Sequence, residues 1–142
     1  MILLDVNVLV YAFREDATDH ARYRSWLQAC VTGPEPVALT GSVLSGTLRV
    51  LTHQRVFAPP TPLANALAFV EALRAQPACV LIEPGDRHWD IFARLCMLAG
   101  AKGNLVPDAW LAALAIEQGC EFITADRDFA RFPGLRFRRP FA

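Results

Sequence analysis

The chain opens Met1-Ile2-Leu3-Leu4-Asp5-Val6-Asn7, three aliphatic residues in a row that end on a carboxylate. A continuous aliphatic run is the pattern of a strand buried on both faces inside a parallel sheet. A carboxylate directly after such a strand is poor packing chemistry. In an open α/β sheet, however, the carboxyl ends of the strands are where ligands and reacting groups collect. Two more acids occupy equivalent places, Asp108 where a helix begins and Asp126 just after a late strand. Three acids from distant parts of the chain, all at element ends, predict one shared oxygen-rich pocket.

The rest of the chain alternates strand and helix patterns. Val6 to Phe13 is apolar enough for a turn of helix. Tyr23, Trp26, Leu27 and Cys30 repeat at helical spacing within His20 to Val31. Val37 to Thr40 reads as a short strand, and Ser42 as the cap of a helix running to about His53 with Val43, Leu44, Leu48 and Leu51 on its apolar face. Thr61-Pro62 has the form of an N-cap followed by proline at the first helical position. The helix after it presents Leu63, Leu67, Val70 and Leu73. Cys79 to Ile82 reads as a buried strand, and Trp89, Phe92, Cys96 and Ala99 mark a helix that Gly100 ends. Asp108 falls in the first turn of a helix opened by Pro107 and closed by Gly119. Glu121 to Thr124 and Leu135 to Phe137 are strands, with one helical turn between them. Alternation of this kind means a mostly parallel central sheet of about five strands flanked by helices, an α/β fold in one domain over residues 1–142.

With 142 residues, 54% of them apolar, the chain can build a core and is not disordered. Its formal net charge is zero, which argues against a protein that wraps nucleic acid by counterion release alone. A nucleic-acid enzyme remains open, because an acidic metal site can be balanced by a basic rim. Arg127, Arg131, Arg136, Arg138 and Arg139, opposed only by Asp128, are the candidate rim. The cysteines (Cys30, Cys79, Cys96 and Cys120) lack C-x-x-C spacing and read as free thiols rather than zinc ligands. No charged leader precedes the first strand and no apolar run has membrane-spanning length, so the expected setting is cytoplasmic with no membrane partner.

Several carboxylates in one pocket repel one another and are costly without a cation. Mg²⁺ and Mn²⁺ favour carboxylate and water oxygens, acidify a bound water and neutralise charge on a phosphodiester. The residues thus point to metal-assisted phosphoester hydrolysis, with no side-chain nucleophile in view.

Four segments carry a family resemblance: Asp5-Val6-Asn7-Val8-Leu9, Leu48-Arg49-Val50-Leu51-Thr52-His53-Gln54-Arg55-Val56-Phe57, Gly103-Asn104-Leu105-Val106-Pro107-Asp108-Ala109-Trp110-Leu111-Ala112-Ala113-Leu114-Ala115 and Thr124-Ala125-Asp126-Arg127-Asp128-Phe129-Ala130-Arg131-Phe132-Pro133-Gly134-Leu135. Together they resemble the PIN-domain ribonucleases, and among them the VapC-like toxins of type II toxin–antitoxin modules, over essentially the whole chain. The resemblance implies that Asp5, Asp108 and Asp126 hold Mg²⁺ or Mn²⁺, with Asp128 an accessory acid. Asn7 and Thr124 map to supporting polar positions. It implies a homodimer that cuts structured RNA, a tRNA or an rRNA loop, and a VapB-like antitoxin that blocks the acidic pocket.

The chain departs from the family pattern at one place. The usual second acid, a glutamate, falls on Gly46, and no Glu or Asp occurs between Pro36 and Ala68. Sub-branches of the family resemble this chain in having a small residue there. The gap favours one tightly held ion over a symmetric pair, with Ser42 or Ser45 contributing a hydroxyl. It also motivates the alternative of a catalytically silent PIN domain that binds RNA or an antitoxin. A phosphatase of the haloacid dehalogenase type also opens with a strand and Asp, but needs a second Asp where this chain has Asn7.

Plainer readings apply elsewhere. Asp5 could merely cap a strand end, Asp108 could answer the helix dipole, and Asp126 and Asp128 could form turns. His20, His53 and His88 are expected to be solvated or core histidines. Trp26, Trp89 and Trp110 are expected in the core or a dimer interface, and Arg49 and Arg55 in structural ion pairs.

Overall fold

The computed structural model describes residues 1–141; Ala142, the last residue of the expected domain, lies outside them. In chain order the elements are β1 (Ile2–Leu4), α1 (Val6–Phe13), α2 (His20–Val31), β2 (Val37–Leu39), α3 (Gly41–Leu51), α4 (Leu63–Arg74), β3 (Cys79–Leu81), α5 (His88–Ala99), α6 (Leu105–Gln118), β4 (Glu121–Ile123) and β5 (Phe137–Arg138). A 3-10 helix over Arg127–Arg131 links the last two strands.

The five strands form one sheet in the order β3-β2-β1-β4-β5, and every pairing is parallel. Parallel strands need crossover connections, which here are the helices, so both sheet faces are covered. β1 is central. Leu3 pairs with Ala38 of β2 on one side and Phe122 of β4 on the other. Leu3 and Leu4 are completely buried, each worth about 1.5–3 kcal/mol relative to an exposed side chain. The strand order reverses direction at β1, and the crevice beside the carboxyl ends of β1 and β4 is the switch point where open α/β sheets bind ligands. Asp5 follows β1 and Asp126 follows β4.

Six expectations need correction. The Cys79–Ile82 strand is not buried: Val80 and Leu81 are exposed, Leu81 at 52%, and only Ile82 is covered. β3 lies at the sheet edge, where one side has no neighbouring strand. On α4 the buried stripe is Ala66, Val70 and Leu73, while Leu63 and Leu67 face solvent. On α5 the buried residues are His88 and Leu95, whereas Trp89 is exposed. The expected helix starts are also shifted. Thr40, not Ser42, caps α3, and Pro62, not Thr61, caps α4. The last strand begins at Phe137 rather than Leu135.

Candidate active site

Asp5 is buried, and its carboxylate is fixed by three donors. Oδ1 accepts from the Val6 N–H at 2.7 Å, which caps α1 and places the charge at that helix's positive end. Oδ2 accepts from the Thr124 hydroxyl at 2.8 Å and from the Asn7 amide at 3.2 Å. Asp5 thus caps the start of α1 rather than merely the end of a strand.

Thr124, itself buried, joins β1 to β4. Its Oγ1 also accepts from Asn7 Nδ2 at 3.2 Å and from the Asp126 N–H at 3.0 Å. The other end of the Asn7 amide accepts from the Ala125 N–H at 3.1 Å. Asn7 and Thr124 thus lock the start of α1 onto the segment that carries Asp126. Asp126 in turn caps the 3-10 helix, its Oδ1 accepting from the Asp128 N–H at 2.8 Å.

Asp108 enters from the first turn of α6. Asp5, Asp108 and Asp126 line one cleft of about 630 Å³ together with Asn7, Ser42, Ser45 and Gly46. Asp128 is exposed and does not line it, and Thr124 lies behind it. None of the four ion pairs formed among the described residues includes Asp5, Asp108, Asp126 or Asp128.

The electrostatic consequence appears at Asp108. Burial, then repulsion from Asp5, Asp126 and Asp128, pushes its carboxyl up to about 6. Burial also raises Asp5 above the ordinary carboxylate value, and Asp126 adds to this; the bonds from Thr124, Val6 and Asn7 pull the other way. Uncompensated carboxylates with raised pKa values are the donor set that a hard cation relieves. Among the described residues no three acidic, histidine or cysteine side chains converge into a ready-made metal cage.

The basic rim expected from the terminal arginines is not at the cleft. Arg138 pairs with Glu121 at 2.8 Å and Arg136 donates to the Gly119 carbonyl, and none of the five lines the cleft. Arg49 does, and it joins none of the four ion pairs, contrary to the expectation for it. Trp110 borders the cleft as well as packing edge-on against His88, so it is not simply core. His88 fits the core reading: it is buried, with Nε2 3.0 Å from the Trp110 carbonyl. Tyr11, Val56 and Phe57 also line the cleft. Val56 and Phe57 close the family-like segment that begins at Leu48, whereas nothing in the sequence marks Tyr11.

A family model for the PIN domain matches residues 2–135. The chain belongs to the PIN-domain family. Over 140 residues this PIN domain is 47% identical to ribonuclease VapC43 of Mycobacterium tuberculosis, covering 99% of this chain and 95% of that one. Its fold is similar to that in the structure of VapBC2 from Rickettsia felis bound to a promoter DNA fragment, with a TM-score of 0.71, 19% identity and 98% of each chain covered. It is also similar to VapC20 of M. tuberculosis, described as a sarcin-ricin loop cleaving toxin, with a TM-score of 0.68, 17% identity, and 96% and 99% covered.

Proposed function

We propose that residues 1–142 act as one PIN domain, the ribonuclease toxin of a type II toxin–antitoxin pair, which hydrolyses phosphodiesters of structured RNA, a tRNA or an rRNA, with Mg²⁺ or Mn²⁺. The observation that carries this reading is the cleft at the switch point. There three acids line one cleft, none of them in an ion pair, and Asp108 is driven up to about 6. The names of its relatives support the same activity: VapC43 is a ribonuclease and VapC20 cleaves an RNA loop.

In this reading Asp5, Asp108 and Asp126 hold the cation and Asp128 assists from the rim. When bound, the cation supplies positive charge against the phosphate and acidifies water. The chain's own contribution is to prearrange the carboxylates. Thr124 and Asn7 fix the Asp5 oxygens by donated hydrogen bonds, so none has to turn or lose water as the phosphate arrives. Ser42 and Ser45, exposed at the start of α3, offer hydroxyls at the cleft edge.

The natural partner in this reading is a VapB-like antitoxin, as in the Rickettsia felis VapBC2 structure. Trp89, Met97 and Leu98 are exposed on α5, apolar surface that a second copy of the chain would cover in a homodimer. Four free cysteines suit a reducing cytoplasm. Among the described residues no helix is long and apolar enough to cross a membrane.

The test is incubation of total cellular RNA with the purified protein, freed of any co-purifying partner, in Mg²⁺, Mn²⁺ or EDTA, beside Asp5→Ala. Discrete fragments that need both metal and Asp5 are expected. A folded, metal-binding protein that cuts nothing would instead support the silent binding module.

A further inference from the structure

The acids make up only part of the cleft lining. Much of the remainder is apolar: Tyr11 on α1, Val50 at the end of α3, and Val56 and Phe57 in the loop that follows. Arg49, which is exposed, is the single basic residue of the lining. Val56 leaves 53% of its surface in solvent, beside carboxylates.

This wall is braced rather than loose. The Arg14 guanidinium lies 4.1 Å over the Phe57 ring, donates to the Pro59 carbonyl at 3.1 Å and to the buried Thr61 hydroxyl at 3.2 Å, and is itself fixed by Asp16 at 2.8 and 2.6 Å. The Thr61 N–H closes the loop by donating to the Leu51 carbonyl at 2.8 Å. Tyr11 is wedged edge-on against Tyr23, with ring centroids 5.1 Å apart. A preformed surface of this kind loses little entropy when something packs on it.

Phosphate chemistry has no use for an apolar wall, but a nucleobase face does. In a base-paired A-form stem the faces are stacked inside, and the deep major groove excludes side chains. Only an unpaired base can lay its face on such a wall while its backbone reaches the acids. We propose that Tyr11, Val56 and Phe57 form a subsite for one unpaired nucleobase beside the scissile phosphate, with Arg49 on a flanking phosphate and Arg14 as the positioning residue that holds the loop. The occupant is a single-stranded segment of RNA. This deepens the ribonuclease reading above and rests on it.

The test measures binding apart from cleavage. Fluorescein-labelled single-stranded RNA hexamers, intact or with one abasic ribose at each position in turn, are titrated by anisotropy in Ca²⁺, beside a ten-base-pair RNA duplex. At one abasic position affinity is expected to fall about tenfold, the scale of one stacked base, and the duplex is expected to bind more weakly than the intact hexamer. Val56→Ser, at an exposed position that the fold tolerates, is expected to erase that penalty. Arg49→Ala should weaken all hexamers alike and leave the penalty in place. Equal binding of intact and abasic hexamers, a penalty that survives Val56→Ser, or a duplex that binds as well as the hexamer would each overturn the subsite. Cleavage of total cellular RNA with Mn²⁺ by the same protein preparations separates the two readings. Discrimination without such cleavage overturns the ribonuclease and leaves a base-binding site with no scissile phosphate, whereas cleavage without discrimination overturns the subsite alone.

Discussion

Val6 Cγ2 stands 3.0 Å from the point where a Cβ at position 46 would sit. Glycine there lets α3 run tightly over the start of α1, at the one position where the family pattern has its glutamate. The missing acid and the close helix approach are thus one feature. Gly46→Glu requires Val6 to yield by a few tenths of an ångström and adds a carboxylate to the cleft. Mn²⁺ affinity by calorimetry is expected to tighten about tenfold, the lower end of what metal-site changes produce, with cleavage little altered. A large gain in cleavage instead would mark the natural site as decayed.

Thr124→Val keeps the shape of the side chain and removes the hydroxyl that serves Asp5, Asn7 and Asp126 together. Leaving buried partners unmatched costs about 1–3 kcal/mol. Denaturant unfolding is expected to show that loss, and ribonuclease activity is expected to drop about 10–100-fold, as for supporting residues of metal sites generally. Thr124→Ser should restore most of both.

Asp108 gives stability an unusual pH dependence. Its carboxyl titrates near 6 in the fold against 3.8 ordinarily, so the folded state holds the proton more tightly than the unfolded chain. Its favourable contribution is therefore complete below 3.8 and is lost as pH rises through about 6. Asp108→Asn is expected to raise the melting temperature by about 3 °C at pH 8 and scarcely at pH 4, in cation-free buffer. Mg²⁺ should raise the melting temperature of the natural protein at pH 8 more than that of the variant. Equal shifts at both pH values would show that Asp108 is not under strain.

Two leucines report on the sheet edge. Leu39 is buried on β2 and Leu81 is exposed on its neighbour β3. Leu39→Ala is expected to cost about 2–5 kcal/mol, and Leu81→Ser about 0.5 kcal/mol or less, by chemical denaturation. Comparable losses would mean that β3 is covered in solution.

The parallel sheet and its acids were legible because Leu4-Asp5 breaks a rule: a charge on the end of a fully buried run needs a reason. β3 misled because three apolar residues look the same at an edge as at a centre; only the strand order tells them apart. On α5 the pattern ran one residue out of register, since His88 counted as polar although it is buried through its bond to the Trp110 carbonyl. The supporting places of Asn7 and Thr124 were legible only through family likeness: Thr124 reaches Asp5 across 119 residues, and Asn7, though two residues from Asp5, is held by the distant Thr124 and Ala125. Val56 and Phe57 belong to a family-like segment, but nothing in the sequence placed them in the cleft. Arg14 gains its role only by reaching 45 residues along the chain to the Pro59 carbonyl.

The pairing of β1 with β4 also sets an order in time. During synthesis Asp5 is made almost at once, yet the hydroxyl that completes its set of donors arrives 119 residues later, just past the strand that must slide in beside β1. Until then the acid has only its neighbours Val6 and Asn7, and the cleft lacks Asp126. For the proposed ribonuclease, a nascent chain that ends before β4 therefore lacks both Thr124 and Asp126, and its acidic site stays incomplete until nearly all of the described residues have been joined.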